Sequence, residues 1–366
     1  MPFVNRLGQI LYRLVRSTEL RPRLDARPGV IVDLRYLEHT RTLRLLVIMF
    51  ELVGFGVFAK SGLNRRAANI ADMTVWHSNL RMIWGLPKRS EPWILCTDHR
   101  KDYHGKDFQK CIFVCYDYGP QVSLPDGSHF AMPYTMHPQI YVQYRHHEEL
   151  ARFRSLPRKV RGLFAGNSTP GYDSASIREM YGLLSRHKLV SHLIQSGKVQ
   201  RVSDPLRWQQ IAREVHRDAI VVFDQMRVHQ RYWLDTVAST DFFFAFPGVV
   251  IPLAHNVIEA MAVGTIPVLN YPHWFVPPLV NGENCLAFSS LIDLDRLIER
   301  ILTMDSREIE RLRTGVVKYY EEYLNPTRFM QRLLQSPFQT VTLHVLDESE
   351  KAVLRALGSE KQETVV

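Results

Sequence analysis

The sequence predicts an α/β protein built from two doubly wound domains that face a cleft. Short apolar runs typical of buried strands alternate with longer segments of helical period, once before about Arg152 and again, more regularly, after it. Strands that alternate with helices favour parallel sheets. A basic segment, RSLPRKVRG, separates the two series, and a chain of 366 residues is long enough for two hydrophobic cores.

Composition and charge narrow the class of protein further. The chain is 46% hydrophobic and 23% charged, which is ordinary for a globular protein. No apolar run reaches the roughly 18 residues that predict a membrane span. The 4 cysteines are scattered and form no C-x-x-C pair, which disfavours a disulfide framework or a zinc site and fits a reducing compartment. A net charge of +9 predicts an anionic partner: a phosphorylated ligand, an anionic membrane surface or nucleic acid.

These patterns divide the chain into four parts. Residues 1–30 carry an apolar stripe at helical spacing beside several arginines, a pattern typical of a helix on an anionic membrane or of one docked on the protein itself. Residues 31–152 are predicted to form a first Rossmann-like domain and residues 153–335 a second. Residues 336–366 form a C-terminal tail with one helix. The N-terminus lacks the short apolar region and cleavage site of a signal peptide.

Polar and glycine residues follow the predicted strands of the second domain. Gly166 and Asn167 end the strand GLFAGN, Arg227 lies in the loop after DAIVVFD, and Gly248 closes DFFFAFPG. In open parallel sheets, ligands bind outside the carboxyl ends of the strands. We therefore expect a ligand site where these four residues meet.

The next segment, HNVIEAMAV, predicts a helix that is apolar all round except for His255, Asn256 and Glu259. Residues three and four apart share a helix face, so Glu259 aligns with the other two. The free N–H groups and positive dipole at a helix start favour a phosphate, and a carboxylate one turn further on could accept ribose hydroxyls. The pattern thus predicts a nucleoside diphosphate site, with His255 and Asn256 at the phosphates and Glu259 at the ribose. The alternative is that Glu259 caps the helix or belongs to a buried pair.

Three stretches of the second domain, DFFFAFPG, HNVIEAMAVGTIPVLNY and YYEEYLNP, resemble the C-terminal half of glycosyltransferases of the GT-B fold. The likeness is greatest to the exostosin-like transferases, with some likeness to the α-1,3-fucosyltransferases, and VRGLFAGN is similar to the strand that opens their donor domain. The resemblance extends over roughly residues 160–326. It implies a nucleotide-sugar donor in the second domain, an acceptor in the first, and no obligatory metal or other cofactor.

The sequence departs from that family where a basic side chain usually neutralises the diphosphate. His255 and Asn256 stand at this helix start, so we expect Arg227 to supply the charge, with Arg231 as a second possibility and a solvated loop arginine as the alternative. The D-x-D pattern of metal-dependent transferases occurs only at Asp293–Asp295. It lies at the start of an amphipathic helix, where acids are favoured by the dipole, so no metal site is predicted there.

The base that activates the acceptor hydroxyl is expected at a strand end of the first domain. Asp98 and His99 follow WILCT and are our catalytic candidates, although either can equally be a loop residue. Asp33 and Asp117 end neighbouring predicted strands. An inverting transferase needs one such group within hydrogen-bonding reach of the nucleophile, whereas a retaining one can do without it.

Taken together, these observations predict a glycosyltransferase that moves a sugar to a saccharide or lipid-linked saccharide acceptor, in bacterial surface polysaccharide or glycolipid synthesis. We expect it in the cytoplasm, peripheral on the inner membrane face if residues 1–30 bind an anionic surface. A nucleotide-sugar epimerase or a phosphorylase on the same fold is an alternative. A non-catalytic protein that binds an anionic ligand or a membrane is another, and the even spread of Lys and Arg argues against nucleic acid as the partner.

Overall fold

The computed structural model describes residues 28–37, 40–60, 81–83, 93–103, 107–143, 148–223 and 226–346. The chain divides into two compact units, one of Met1–Met132 with Pro326–Val366 and the other of Pro133–Asn325. Each unit is built on one sheet in which every described pairing of strands is parallel, so the predicted α/β class is confirmed.

The strands are, in chain order, β1 (Gly29–Asp33), β2 (Gly56–Lys60), β3 (Arg81–Ile83), β4 (Ile94–Thr97), β5 (Lys110–Cys115), β6 (His129–Ala131), β7 (Val160–Phe164), β8 (Val199–Val202), β9 (His216–Phe223), β10 (Thr240–Phe244), β11 (Ile266–Leu269), β12 (Leu286–Ala287) and β13 (Thr340–His344). The α-helices are α1 (Thr40–Leu52), α2 (Pro138–Gln143), α3 (Glu148–Arg154), α4 (Ala175–Glu179), α5 (Arg186–Gln195), α6 (Pro205–Ile211), α7 (Trp233–Ala238), α8 (His255–Ala262), α9 (Leu291–Thr303), α10 (Ser306–Tyr319) and α11 (Pro326–Gln335). A π-helical turn, Tyr320–Leu324, continues α10.

The first unit's sheet has the order β3-β2-β1-β4-β5-β13-β6. The chain builds outward from β1 on both sides, which is the connectivity of a doubly wound sheet. The strand β13 comes from the end of the chain and pairs in parallel with β5 on one side and β6 on the other. The sequence places this segment in a separate tail, but Val341 and Leu343 are buried, because a strand inside the sheet has both neighbours and a covered face.

The second unit's sheet has the order β12-β11-β10-β7-β9-β8. From β7 the chain passes to the edge strand β8 and returns to β9 beside β7, whereas β10, β11 and β12 follow outward on the other side, so the direction of the connections reverses between β7 and β10. The interior is aromatic: Phe242, Phe243 and Phe244 of β10 are fully buried. A crevice at the carboxyl ends of two strands where the order reverses is the usual ligand position in open parallel sheets.

The boundaries between the units differ from those expected from sequence. The structure divides the chain after Met132 and after Asn325, so the segment with α2 and α3 belongs to the second unit, and α11 belongs to the first. The basic segment RSLPRKVRG is not a linker. Within it Arg158 is buried and donates to the carbonyl oxygens of Ala238 and Val263, the latter at 2.7 Å, so it satisfies the carboxyl-terminal ends of α7 and α8.

One predicted helix is divided in two. The pattern from Ser174 to Ile194 predicts a single helix, but α4 and α5 are separated by a turn in which Gly182 has a φ of +63°. The Ser185 side chain then caps α5 by accepting from the Lys188 N–H. This break is what brings Arg186 to the start of a helix.

Several sequence-based expectations lie outside the described residues. They concern residues 1–27 of the N-terminal segment and the helix of the tail after Leu346. Across the part of the chain that the structure describes, no helix has both the length and the apolar character needed to cross a membrane.

Candidate functional site

A cavity of about 770 Å³ opens in the second unit at the carboxyl ends of β7 and β9. Its volume lies within the range of small-molecule sites, which is roughly 300–1,000 Å³. Gly166, Asn167, Arg227 and Asn256 line it, and these were predicted from sequence as donor-binding residues. The structure thus brings residues from the loops after β7 and β9 and from the start of α8 to one cavity at the carboxyl edge of the sheet.

Gly248 holds the loop after β10 in a tight turn. A Cβ atom there would lie 2.3 Å from the carbonyl oxygen of Ile251, closer than such atoms approach in proteins. The Gly248 N–H donates to the Pro252 carbonyl oxygen at 3.1 Å, which closes the turn. Gly248 does not line the cavity. Its role near the predicted site is to allow a tight backbone turn that only glycine can form.

Arg186, which the sequence analysis did not select, lies buried beside the cavity. Its Nε donates to the carbonyl oxygen of Pro247 at 2.8 Å, and its guanidinium lies 4.6 Å from the Tyr172 ring centroid. Longer contacts of 3.4 and 3.3 Å join it to the carbonyl oxygens of Asn167 and Phe246. Arg186 therefore links the loop after β7 to the loop after β10.

The charge of Arg186 has no carboxylate partner among the described residues. The side chain is 6% exposed, and burial lowers its pKa. Its Nη1 lies 3.6 Å from the position a Cβ atom of Gly166 would take, and the Asn256 Nδ2 lies 3.8 Å from the same point. A buried cation without a counter-ion is costly, and an anion bound in this cavity would reduce that cost. In the sequence, the only signal that a helix begins at Arg186 is Ser185, a residue type that favours the N-cap position.

Asn256 is the polar residue of α8 that faces the cavity. Its Oδ1 atom is buried and meets no hydrogen-bond donor among the described residues. An unsatisfied buried acceptor costs about 1–3 kcal/mol, so such atoms are uncommon without a functional reason. A ligand in the cavity with an N–H or O–H group could donate to it.

His255 and Glu259 face other residues of the second unit. The His255 Nδ1 lies 2.7 Å from the carbonyl oxygen of Thr135 and therefore donates to it, and the Tyr134 ring stacks on the imidazole at a centroid distance of 4.8 Å. Neither His255 nor Glu259 lines the cavity. The polar residues at the start of α8 thus point in different directions.

The Glu259 carboxylate is 4% exposed and accepts from two protein donors. Its Oε1 accepts from the His137 N–H at 2.9 Å and its Oε2 from the Trp233 Nε1–H at 2.5 Å. Burial raises the pKa of Glu259 to about 7, against the lowering effect of these hydrogen bonds. Glu259 is thus buried and paired within the protein, which is the alternative that the sequence left open. Its contact with a ribose stays a prediction.

Arg227 is exposed on the cavity wall. No hydrogen bond or ion pair joins it to another described residue. Arg231, the second candidate for the counter-charge, lies outside the cavity lining with its guanidinium 4.5 Å from the Tyr232 ring centroid. Of the two arginines proposed from sequence, Arg227 is the one positioned to reach a bound anion.

The catalytic candidates of the first unit, Asp98 and His99, lie after β4 and differ in accessibility. The Asp98 carboxylate accepts from the N–H groups of Arg35 and Tyr36 at 2.9 and 2.8 Å and from the Tyr116 hydroxyl at 2.8 Å. It is 7% exposed, and burial raises its pKa against these hydrogen bonds. Asp98 therefore holds the loop after β1 in place.

His99 is partly exposed, and its Nδ1 lies 3.3 Å from the Tyr36 hydroxyl. Of the two candidates, it is the one that a substrate in solution can reach. Beside them Asp33 is fully buried and paired with Arg35 and Lys60 at 3.0 and 3.3 Å. The assignment of a base in this unit stays a prediction.

The acids of the D-x-D pattern have partners within the second unit. Asp295 lies 2.8 Å from the His192 Nε2, and Asp293 accepts from the Ser289 hydroxyl at 2.6 Å at the start of α9. In the described ranges no group of three or more His, Cys, Asp or Glu residues is arranged to hold a metal ion. The place of these acids at a helix start agrees with the dipole explanation.

No protein-family model matches the chain, and no curated protein matches it. Among solved structures, the chain is similar to sucrose-phosphate synthase from Thermosynechococcus elongatus, with 13% identity over 84% of this chain and 97% of that one and a TM-score of 0.41. It is similar to OtsA, with 10% identity over 85% and 100% and a TM-score of 0.45. It is also similar to HepE from Anabaena in complex with UDP, with 9% identity over 84% and 98% and a TM-score of 0.40. Values this low assign neither a ligand nor a reaction to this chain.

Proposed function

We propose that the protein is a glycosyltransferase that binds a nucleotide sugar in the cavity of the second unit and transfers the sugar to a saccharide or lipid-linked saccharide. The observation that carries this proposal is the position of Arg186, a buried cation without a carboxylate partner among the described residues, beside a cavity at the carboxyl ends of parallel strands. The family resemblance of the sequence supports the same function and suggests a role in bacterial surface polysaccharide or glycolipid synthesis.

The diphosphate of the donor fits the end of the cavity near Gly166. Arg186 lies behind Gly166, and Asn256 flanks the same point from the start of α8. The N–H groups at the start of this helix and the backbone of Gly166 and Asn167 add further donors. Arg227 on the cavity wall supplies a second charge that can reach the phosphates.

Arginine charges at the diphosphate take over the part that a divalent ion plays in metal-dependent transferases. We therefore propose that donor binding needs no metal. Binding of a nucleoside diphosphate should be equal with and without excess EDTA. A loss of affinity on chelation, restored by Mg²⁺ or Mn²⁺, would contradict this part of the proposal.

The first unit is proposed to hold the acceptor, with His99 or Asp98 as the group that takes the hydroxyl proton. His99 is the more accessible of the two, and a general base must come within hydrogen-bonding reach of the acceptor hydroxyl. The carboxylate of Asp98 accepts from three protein donors. Its proposed role is therefore to support the loop that carries Arg35 and Tyr36.

Association with a membrane is a separate part of the proposal and depends on residues 1–30. If this basic amphipathic segment binds anionic lipid, deletion of its first 20 residues should move the protein from the membrane fraction to the soluble fraction. An unchanged distribution would remove the anchoring idea without affecting the donor site.

The function is tested first by thermal unfolding of the full chain with UDP, GDP and ADP, their nucleosides and their glucose conjugates. A ligand bound only to the folded state raises the melting temperature by mass action. We expect at least one nucleoside diphosphate to stabilise the protein and its nucleoside to do so much less. If none of the diphosphates or nucleotide sugars has an effect, the proposed function is wrong.

Incubation with the stabilising nucleotide sugar then separates the enzyme classes. A transferase does not epimerise the free nucleotide sugar, and it consumes the donor faster when a saccharide acceptor is added. An epimerase converts the free nucleotide sugar without an acceptor, and a phosphorylase requires inorganic phosphate.

A further inference from the structure

We propose that Glu259 acts on the donor cavity through Trp233, as a positioning residue, and does not contact the ribose. This inference rests on the proposed function of the same cavity. It replaces the direct role that the sequence pattern suggests for the carboxylate.

Trp233 is the side chain through which Glu259 reaches the cavity. It is the first residue of α7, is partly exposed and lines the cavity. Its Nε1–H donates to the Glu259 Oε2, and its ring meets the ring of Phe243 edge to face, with centroids 6.1 Å apart and an angle of 85° between the planes. The hydrogen bond and the edge-to-face contact together hold the indole in one orientation.

The same carboxylate joins a third element. Through its Oε1 it accepts the N–H of His137, which directly precedes α2. Glu259 is 4% exposed and does not line the cavity, so a ribose could reach its carboxylate only if the side chains that cover it moved away. Its physical role in this arrangement is to connect α8, α7 and the segment before α2.

The wall that Trp233 forms suits the planar base of a nucleotide. Val190, Ile194 and Val228 also line the cavity and add apolar surface, while Asn167 and Asn256 are polar. An aromatic side chain next to a base contributes through stacking or edge contact and tolerates different bases. The orientation of the indole, and therefore Glu259, should thus affect the affinity for the nucleoside part of the donor.

A double-mutant cycle tests the coupling between the two residues. The variants are Glu259→Gln, Trp233→Phe and the double variant, and the ligand is whichever of UDP, GDP and ADP stabilises the wild type most, measured by calorimetry. We expect Glu259→Gln to weaken binding about 10-fold in the wild-type background, since one charge-assisted hydrogen bond is lost, and less than about 2-fold in the Trp233→Phe background. Equal losses in both backgrounds would overturn the inference.

The 2′-deoxy form of the same diphosphate separates positioning from direct contact. If Glu259 positions Trp233, Glu259→Gln should weaken binding by the same factor for the ribose and the deoxyribose ligand. If the carboxylate holds the 2′-hydroxyl, the variant should lose affinity for the ribose ligand alone, and the inference fails.

A signal from the indole itself guards against variants that simply fold poorly. The chain has 6 tryptophans, so six indole N–H signals are expected in a ¹H–¹⁵N spectrum, and Trp233→Phe identifies the one from Trp233. This signal should shift with pH in the wild type and lose that shift in Glu259→Gln, because the acceptor no longer titrates. A pH-independent signal in the wild type would contradict the inference.

If the wild type binds no diphosphate at all, the proposed function fails as well, whereas tight binding with an additive cycle removes only this inference.

Discussion

The Nε of Arg186 donates to the carbonyl oxygen of Pro247 across 2.8 Å and so joins the start of α5 to the loop after β10, 61 positions further along the chain. The same guanidinium contacts the carbonyl oxygen of Asn167, in the loop after β7, at 3.4 Å. Arg186 thus places one buried positive charge between these two loops.

Replacement of Arg186 by methionine should weaken binding of a nucleoside diphosphate by about 10- to 100-fold, because the phosphates lose the attraction of a buried positive charge that water screens poorly. Binding of the nucleoside should change little, since the charge acts on the phosphates. Arg186→Lys keeps the charge but not the planar group of donors, and its affinity should lie between the two. Calorimetry with the diphosphate and the nucleoside measures both.

The control for this variant is Arg307→Met, which removes an exposed arginine of α10 and lowers the net charge equally. It should leave binding unchanged. If the Arg307 and Arg186 variants lose the same affinity, the effect comes from overall charge and the assignment of Arg186 is wrong.

Protonation of Glu259 should make the folded state more stable at mildly acidic pH. Its folded-state pKa of about 7 lies above the ordinary 4.5, so the folded protein binds the proton more tightly than the unfolded chain does. The Glu259 contribution to the free energy of unfolding is therefore full below about pH 4.5 and is lost as the pH rises to about 7, with a size of about 3 kcal/mol. Urea unfolding at several pH values measures it.

Glu259→Gln is the matched variant for that experiment, because it keeps the shape and cannot titrate. The stability difference between wild type and variant should depend on pH in the window from about 4.5 to 7 and should be constant above it. A difference that stays the same at pH 5 and pH 8 would show that another group is responsible.

Asn256→Ala should reduce donor affinity without reducing stability. The Oδ1 of Asn256 has no donor among the described residues, so its removal costs the folded protein no hydrogen bond at that atom. A ligand donor that bonds to it would contribute about 0.5–1.5 kcal/mol, which is a loss of roughly 2- to 10-fold in affinity. An unchanged affinity together with a lower melting temperature would assign Asn256 a structural role instead.

Gly248→Ala should destabilise the second unit strongly, because the new Cβ would lie 2.3 Å from a backbone oxygen that cannot rotate away. We expect a loss of about 1–3 kcal/mol, as for other overpacked positions. Gly171→Ala is the control, since its Cβ would meet nothing within 4 Å. Equal melting temperatures for both variants would mean that the loop after β10 adapts freely.

Asp98→Asn and His99→Gln should have opposite profiles. The Asp98 carboxylate accepts from three donors, and an amide NH₂ would face some of them, so Asp98→Asn should lower stability by about 1–3 kcal/mol. His99→Gln should leave the melting temperature nearly unchanged and reduce turnover. Full turnover of His99→Gln would exclude His99 as the base, and full turnover of Asp98→Asn would exclude Asp98.

The alternation of strands and helices predicted the α/β class and the order of most elements correctly. The spacing of the apolar residues in a segment is enough to indicate whether the segment is a helix or a strand. Of the four residues expected to meet at the carboxyl ends of the strands, Gly166, Asn167 and Arg227 line one cavity and Gly248 does not. These predictions depend only on local pattern and on the geometry of parallel sheets.

What the pattern left open was the surroundings of each polar side chain. His255, Asn256 and Glu259 look alike in sequence as exceptions on an apolar helix, yet only Asn256 lines the cavity. The other two meet the segment from Tyr134 to His137 and, for Glu259, Trp233, all distant in sequence. A helical period indicates which residues share a face, but it carries no information on what covers that face.

Local sequence patterns were enough to predict two parallel α/β sheets and the strand ends at which a ligand is expected. The place of β13 inside the first sheet, the burial of Arg186 behind Gly166 and the protein donors on Glu259 became visible only in the folded chain. The difference comes from the range of the interactions. Periodicity and strand propensity act between neighbours in the chain, whereas burial and the pairing of charges depend on residues that meet only once the chain has folded.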